Sequence, residues 1–362
     1  MFIFVHAEYV KRKDFMMGLS CKHGRSHLIR RDHIYSDVLE LYEDFSKVLN
    51  EFPFRISFKD EHAVDSGGVA RDMFSGFWSC AFEKFFDGSG SVVPASHPTV
   101  DMSIFPMLGK ILSHGYIACG FLPVHISFPV IAAVFLGPDV QISDTILFIT
   151  YLSYHDACIL KSAFGELGSK TFSCNLQSSL MILLGKYGCR QVPSPENIKS
   201  LVTKVARHTF VVKPLASLFA MFGGIAAEHK GFWKDVTVDH LMEVYLASNA
   251  TAYNALKVIK EPLVLDPEPL QETTYGYLLQ YVGNMRNAEV RNFLRFVTGS
   301  SALVVDEIKI TFNGLSGVSR RPIAHTCSCT LELSTSYSTY LEFAQEFDAI
   351  LTSELSWIMD AL

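Results

Sequence analysis

The amino-terminal third of the chain shows two runs of apolar residues at helical spacing, separated by a short alternating segment. The first run covers residues 32–52 and predicts a helix. Alternation over residues 54–58 predicts a short strand. Gly67 and Gly68 permit a tight turn, and a second helix is predicted after them. The apolar faces of the two helices are Ile34, Val38, Leu41, Phe45 and Leu49, and Val69, Met73, Phe74 and Phe77.

The middle of the chain, about residues 100–258, is apolar and predicted to be mostly helical. Within it, residues 111–138 contain no Asp, Glu, Lys or Arg. This stretch is long enough to cross a bilayer, which takes about 20 apolar residues. However, Pro123 and Pro129 lie inside it, and each removes a backbone donor and disrupts a helix. The pattern therefore predicts two buried helices joined by a proline-containing bend, and no membrane span.

Two further boundaries are indicated by proline. Ser194 followed by Pro195 is typical of a helix start, because proline is pre-organised for the first helical position. Residues 259–274 contain three prolines and four acidic residues, a composition that predicts an extended linker between domains.

The last 90 or so residues alternate between helical and strand periodicity. A helix over residues 287–300 is predicted to end at Gly299. Residues 307–312 alternate as a strand and are followed by an Asn-Gly turn signal. Thr339 and Glu342 have the spacing of a capping box at the start of the last helix. The apolar faces of the two helices are Val290, Phe293, Leu294 and Val297, and Leu341, Ala344, Phe347 and Leu351.

Composition limits the class of protein. The 362 residues are 49% hydrophobic and 19% charged, which is enough to build a large core. The net charge of -6 comes without a basic stripe, which argues against nucleic acid as a partner. The eight cysteines show no repeated C-x-x-C pairs, so reduced thiols are the simplest interpretation. The amino terminus lacks the pattern of a signal peptide, and the expected compartment is the cytoplasm, with the nucleus as a second candidate.

Cys327 is the candidate for chemistry. A cysteine is more often a small buried hydrophobe than a nucleophile. Cys327, however, lies where a loop rigidified by Pro322 enters a strand, so its sulfur is expected to reach solvent. His325 is two residues away and could favour the thiolate or move a proton. Cys329 alternates with Leu331 and Leu333 and is interpreted as core packing. A zinc site at 325, 327 and 329 is disfavoured, because a fourth ligand is missing.

Five segments, taken in order, resemble the catalytic domain of HECT-type ubiquitin ligases. The nucleophile loop is the Ala-His-Thr-Cys run that ends at Cys327. The other four are "RRDHIYSDVLELY" (30–42), "ISFKDEHAVDSGGVARDMF" (56–74), "PMLGKILSHGYI" (106–117) and "FLRFVTGS" (293–300).

The resemblance implies an α+β, bilobal HECT-like fold, with a mostly helical N-lobe that has small strands and a small α/β C-lobe. The implied bounds are an N-terminal extension at 1–25, an N-lobe at 26–265, a hinge at 266–274 and a C-lobe at 275–362. The part of the N-lobe that binds a ubiquitin-conjugating enzyme is expected within about 142–232.

The chemistry implied by the resemblance is ubiquitin transfer in two steps. Cys327 accepts ubiquitin as a thioester from a conjugating enzyme and passes it to a lysine of a protein substrate. His325 and Thr326 flank the nucleophile and would orient or activate it. No cofactor and no metal is implied. For Arg30, Arg31, Asp65 and Arg71, which match the family's other motifs, structural roles are favoured over catalytic ones.

Departures from the family leave alternatives open. Ser328 and Cys329 stand where the family usually has a bulky aromatic residue and an asparagine, and Trp357 is the aromatic residue nearest the carboxyl end. Residues 142–192 are short for the partner-binding part. A degenerate module that binds ubiquitin or a conjugating enzyme without transfer is therefore the alternative. A cysteine hydrolase is a third reading, but no residue is evident in the sequence to orient His325.

Overall fold

The structure is a computed structural model, and it describes residues 2–19, 25–61, 67–140, 142, 145–262 and 268–353. Helices dominate the fold, and three small sheets accompany them, so the predicted α+β class is confirmed. The α-helices are α1 (Phe2–Gly18), α2 (Ile34–Glu43), α3 (Gly68–Phe85), α4 (Phe105–Cys119), α5 (Phe128–Leu136), α6 (Thr145–Tyr151), α7 (Tyr154–Gly165), α8 (Cys174–Lys186), α9 (Ile198–Arg207), α10 (Leu215–Gly224), α11 (Ala227–Trp233), α12 (Val238–Ser248), α13 (Ala252–Val258), α14 (Pro269–Gly283), α15 (Asn287–Thr298) and α16 (Tyr340–Thr352).

The strands form two pairs and one mixed three-stranded sheet. They are β1 (Ser26–Ile29), β2 (Arg55–Phe58), β3 (Phe86–Asp87), β4 (Val93–Pro94), β5 (Lys309–Asn313), β6 (Ile323–His325) and β7 (Thr330–Ser334). β1 runs parallel to β2, and β3 runs antiparallel to β4. In the third sheet β7 is central, with β5 parallel on one side and β6 antiparallel on the other. The Asn-Gly signal after β5 therefore does not make a hairpin, because the next strand in sequence pairs with β7.

The chain divides into two compact units. Unit 1 comprises residues 1–80, 114–123 and 244–362, and unit 2 comprises residues 81–113 and 124–243. The predicted lobe bounds and the hinge at 266–274 stay predictions.

The uncharged segment of the chain forms two helices, as predicted. α4 ends at Cys119, and α5 begins at Phe128 with Pro129 in its first turn. Every residue of α5 from Phe128 to Phe135 is buried, and the Phe135 ring stacks on Trp233 at 3.7 Å between ring centroids. Among the described residues, no helix combines the length and the apolar character that crossing a membrane requires.

Three predicted element boundaries are wrong. The helix expected over 32–52 stops at Glu43, and a separate 3-10 turn follows at Phe45–Lys47. α9 begins at Ile198 and not near Ser194, because Ser194 and Asn197 hydrogen-bond each other reciprocally and close a turn first.

The third wrong boundary is the linker. Residues 269–274 were expected to be extended, but α14 begins at Pro269. Proline occupies the first helical position, where its missing N–H costs no hydrogen bond and its fixed φ suits the helix. Residues 263–267 lie outside the described part of the chain.

The carboxyl-terminal part of unit 1 is built around an apolar core shared by α13–α16, β5 and β7. The predicted face of α15 is buried, and the helix ends at Gly299, whose φ of 74° is left-handed. In α16, Thr339 caps the first turn as predicted, but Leu341 is 65% exposed. The buried face of α16 is Phe343, Phe347, Ile350 and Leu351.

Candidate active site

Cys327 lies in the turn of the β6–β7 hairpin. β6 ends at His325, residues 326–329 form the turn, and β7 begins at Thr330. The backbone N–H of Ser328 donates to the carbonyl oxygen of His325 at 3.2 Å, which closes the turn. Cys327 is exposed. The prediction that its sulfur reaches solvent is confirmed, and its catalytic role stays a prediction.

The alternation suggested that Cys329 is a core residue of the strand, and this prediction is wrong. It is the last residue of the turn, half-buried, with a φ of 51°. A left-handed residue is needed here because the chain must reverse before β7 pairs with β5. The Cys329 carbonyl accepts from the Lys309 backbone N–H at 2.9 Å. Its Sγ lies 3.6 Å from the Thr326 carbonyl oxygen and 3.8 Å from Arg71 Nη2.

His325 has an acidic partner that the sequence analysis missed. His325 Nε2 lies 3.3 Å from Glu332 Oε2, and Asn313 Nδ2 donates to Glu332 Oε1 at 2.8 Å. The hydrogen bond from Asn313, and then that from His325, lowers the pKa of the Glu332 carboxyl. The signal was present in the alternation of β7, where Glu332 stands between the buried Leu331 and Leu333 and so points to the opposite face. Glu332 is therefore the residue that orients His325, which was not evident from the sequence.

Arg71 holds the backbone of the turn. Its Nε donates to the Thr298 carbonyl at 3.0 Å, and its Nη2 donates to the Thr326 carbonyl at 3.3 Å. A Cβ on Gly68 would lie 3.1 Å from the carbonyl carbon of Thr326, so glycine permits this close approach. The favoured structural role of Arg71 is thus correct in kind, but the structure that it supports is the turn bearing Cys327. Asp65 lies outside the described residues.

Behind Arg71, a buried carboxylate binds two further arginines. Asp72 is 1% exposed, and it accepts from Arg31 Nη1 at 2.5 Å and from Arg295 Nε at 2.6 Å. Arg31 also donates to Glu61 at 2.6 Å, and its guanidinium lies 3.9 Å from the Phe58 ring centroid. We call Asp72, Arg31, Arg295 and Glu61 the Asp72 cluster. It ties α3 to α15 within unit 1.

Of Arg30 and Arg31, only Arg30 forms the surface pair expected from the sequence. Arg30 donates to Asp37 at 2.6 Å on the surface. Arg31, in contrast, is turned inward to the Asp72 cluster.

A groove of about 1060 Å³ borders the turn within unit 1. Cys327, Ser328 and Cys329 contribute to one side of it. The rest of its lining includes charged side chains of both signs and an apolar segment. These are Arg55, Arg71, Lys309, Asp306 and Glu307, and Phe52, Pro53 and Phe54. A groove of this size and mixed character can hold an extended polypeptide segment, whose backbone requires polar partners.

Comparison with known proteins defines the family. The model of the HECT-domain (ubiquitin-transferase) family matches residues 82–355, more than half of the chain. The chain belongs to the HECT-domain family. The matched range of the HECT domain includes the Cys327 turn, but not residues 30–42 and 56–74, on which part of the resemblance rests. A comparison with curated proteins found no significant match.

The HECT domain also exposes large apolar side chains within residues 142–232, where binding of the conjugating enzyme was predicted. Tyr154 on α7 is 87% exposed, and Ile182 on α8 is 68% exposed. Met181 and Val192 are exposed as well. α7 and α8 pack against each other in unit 2. We call Tyr154, Met181, Ile182 and Val192 the α7–α8 patch.

The structure shows where two of the three residues weighed as zinc ligands lie. In the part of the HECT domain that the structure describes, no group of three His, Cys, Asp or Glu side chains is arranged to hold a metal ion. His325 and Cys329, two of the three ligands weighed for zinc, instead contact Glu332 and Arg71.

Proposed function

We propose that this HECT domain is an active ubiquitin ligase that carries ubiquitin as a thioester on Cys327. The observation that supports the proposal is the placement of Cys327, which is exposed in a tight turn at the edge of a groove able to hold an extended chain. A buried thiol could not meet the thioester of a second protein. The family match supplies the reaction class.

In the first step, the Cys327 thiolate attacks the carbonyl of the thioester that joins ubiquitin to the conjugating enzyme. The cysteine of the conjugating enzyme leaves as a thiolate. In the second step, the neutral amine of a substrate lysine attacks the new thioester, an isopeptide bond forms, and Cys327 leaves as a thiolate. Sulfur suits both steps, because it is a strong nucleophile and also a good leaving group.

His325 has a defined task in this scheme. Its ring is oriented by Glu332, which is itself fixed by Asn313. An imidazole held by a carboxylate is the usual arrangement for accepting a proton, and the proton that the attacking amine loses is the one to be accepted. Thr326 acts through its carbonyl, which Arg71 anchors.

The partners of the proposed reaction are ubiquitin, a ubiquitin-conjugating enzyme and protein substrates. The α7–α8 patch is the surface that we assign to the conjugating enzyme, because tyrosine is enriched at the energetic centre of interfaces and exposed apolar area marks interaction sites. Ile182→Ser would remove an apolar contact without touching the core. We expect a rise of about tenfold in the concentration of conjugating enzyme needed for half-maximal loading of Cys327.

The test of the whole proposal is a reaction with charged conjugating enzymes, resolved on non-reducing gels. Active protein gives a ubiquitin adduct that is removed by a thiol reductant and is absent in Cys327→Ala. Cys174→Ala is the matched control, since Cys174 is also an exposed thiol and lies far from the turn in sequence, at the start of α8. No reducible adduct with any of a broad panel of enzymes, or an adduct that survives Cys327→Ala, would contradict the proposal.

A binding module without transfer is the second candidate, and Cys329 is the observation that favours it. This residue departs from the family's asparagine and adopts a left-handed backbone directly after the nucleophile. Binding of ubiquitin or of a conjugating enzyme that is unchanged in Cys327→Ala, together with absent transfer, would support it. Cleavage of ubiquitin thioesters to free acid without a lysine acceptor would instead indicate a hydrolase that uses the His325–Glu332 pair.

For localisation, we propose the cytoplasm, with the nucleus as a second compartment. Imaging of a fluorescent fusion checks this, and accumulation within a secretory organelle would contradict it.

A further inference from the structure

The turn that carries Cys327 holds a second thiol, Cys329, for which the transfer reaction has no use. Both residues border the same groove, so they reach a common space. Cys327 is exposed and Cys329 is half-buried. Two thiols of unequal exposure in one turn are suited to redox chemistry, in which the exposed thiol meets the oxidant and the sheltered one reacts second.

The chain geometry of the turn brings the Cα atoms of the two residues within the range that a disulfide needs. Consecutive Cα atoms are about 3.8 Å apart, so residues 327 and 329 are at most about 7.6 Å apart. The tight turn, closed by Ser328 N–H to His325 O, keeps the chain from being fully extended here. A disulfide needs a Cα separation of about 4.4–6.8 Å, which lies within the reach of the pair.

Arg71 gives Cys329 a charged neighbour. The guanidinium Nη2 lies 3.8 Å from Cys329 Sγ, and the same side chain is fixed by the Thr298 and Thr326 carbonyls. Burial raises the pKa of the Cys329 thiol, and Arg71 opposes that change. Burial thus favours the neutral thiol of Cys329, and the Arg71 guanidinium can stabilise the thiolate that forms when Cys329 attacks.

We propose that Cys327 and Cys329 form a reversible disulfide that protects the nucleophile under oxidising conditions. A peroxide oxidises the Cys327 thiolate to sulfenic acid and is itself reduced to water or an alcohol. The Cys329 thiolate then attacks the Cys327 sulfur, the S–S bond forms, and the sulfenic oxygen leaves as hydroxide, which takes up the Cys329 proton to give water. A dithiol reductant restores both thiols. The disulfide itself does not depend on the proposed function, whereas its effect on ubiquitin transfer does.

Without Cys329, the sulfenic acid has no sheltered partner in the turn. Continued exposure to peroxide then converts it to sulfinic and sulfonic acids, which thiol reductants do not reverse. Cys329→Ser should change the outcome of oxidation from recoverable to permanent.

The sequence permits a direct measurement. Residues 322–362 contain no Lys or Arg, so trypsin releases them in one peptide, whose cysteines are 327 and 329. The full chain is treated with hydrogen peroxide, alkylated without reduction and digested, and the peptide is fragmented in a mass spectrometer. Fragmentation assigns each mass change to a residue, because Met359 in the same peptide also takes up oxygen from peroxide. We expect Cys327 and Cys329 of wild type to lose two hydrogens together and to take up no alkyl group. Cys327 of the Cys329→Ser peptide should gain two or three oxygens instead.

A second measurement follows the ability of Cys327 to accept ubiquitin. Each protein is oxidised, treated with dithiothreitol, freed of reductant and charged with ubiquitin, and the adduct is compared with that of its own untreated sample. We expect near-complete recovery for wild type and loss of at least tenfold for Cys329→Ser. Wild-type peptide that carries sulfinic acid at Cys327 with Cys329 still alkylated would overturn the proposal. Failure of the proposed function is distinguishable, because it is absence of an adduct before any oxidation.

Discussion

The Cys327 turn and the Asp72 cluster are two polar regions of the same unit, and they differ in whether their functional group is buried or exposed. In the Asp72 cluster, a buried carboxylate is satisfied by two guanidinium groups. In the turn, the thiol of Cys327 is exposed, and Arg71 holds the backbone of the turn at the Thr326 carbonyl. Buried charge requires paired partners, because desolvation costs several kcal/mol per ion. A nucleophile requires access. The difference separates a group that maintains the fold from one that is available for chemistry.

Arg71 and Asp72 are adjacent in sequence and serve these two regions separately. Arg71 reaches the Thr326 carbonyl of the turn, and Asp72 reaches Arg31 and Arg295. Substitutions at these sites should therefore separate loss of transfer from loss of stability.

The largest effect is expected for Cys327→Ala. Loss of the sulfur should abolish the reducible ubiquitin adduct, because the proposed thioester forms on that atom. The midpoint of urea unfolding should change little, since the side chain is exposed and surface substitutions are usually within about 0.5 kcal/mol. A residual reducible adduct, or a large fall in stability, would break the contrast between the two regions.

For Asp72→Asn, in contrast, we expect a large loss of stability. The neutral amide leaves the guanidiniums of Arg31 and Arg295 without their shared counter-charge in a buried site. Breaking a buried pair in this way costs about 3–5 kcal/mol, which urea unfolding followed by circular dichroism measures.

Asp37→Asn is the matched control for this substitution. It removes the same charge from the pair with Arg30, whose guanidinium is half-exposed, so we expect a smaller loss of stability than for Asp72→Asn. Equal losses of stability in the two variants would show that burial does not set the value of the Asp72 cluster.

Arg71→Lys tests the residue that stands between the two regions. Lysine keeps the charge, but it cannot reach the Thr298 and Thr326 carbonyls with two separate N–H groups as the guanidinium does. We expect the maximal rate of adduct formation to fall about tenfold, because a misplaced nucleophile loses near-attack geometry.

The concentration of conjugating enzyme at half-maximal rate should be unchanged in Arg71→Lys, since the α7–α8 patch is intact. A purely structural role would lower the folded fraction without changing the rate per folded molecule. That result would remove Arg71 from the set of residues that position the turn.

The smallest effect concerns pH. The pKa of the Glu332 carboxyl is lowered in the folded protein by its hydrogen bonds from Asn313 and His325. A depressed pKa means that the contribution to stability is present above the ordinary glutamate pKa of about 4.3 and is lost as the pH falls through the folded value. The stability difference between wild type and Glu332→Gln should therefore be below about 1 kcal/mol at pH 7 and should vanish in acid. A difference that grows as the pH falls would contradict this assignment.

Much of the site could be predicted from local sequence. The exposed position of Cys327 followed from the junction of a proline-containing loop with an alternating strand. The caps of α15 and α16, at Gly299 and Thr339, followed from residue chemistry that acts within one turn. The burial of α5 followed from its apolar composition together with Pro129, which ruled out a long span.

The wrong predictions have two origins. The starts of α9 and α14 depend on local turn chemistry, at Ser194 and Asn197 and at Pro269. The others depend on contacts between residues distant in sequence.

Cys329 fits an apolar alternation as well as Leu331 does, and the pairing of β7 with β5 and β6 begins at Thr330. Arg31 binds Glu61 and Asp72, which are 30 and 41 residues away, and Arg71 binds carbonyls more than 200 residues away.

Sequence by itself therefore determined the burial of α5, the caps of α15 and α16 and which thiol can reach solvent, because composition, capping and periodicity act over a few residues. The alternation of β7 also indicates the face on which Glu332 lies, but tertiary structure decided that His325 meets it there. Tertiary structure alone decided that Arg71 anchors the nucleophile turn and that Asp72 binds two arginines. Such contacts are selected by the packing of whole elements, and the same local pattern is compatible with many packings.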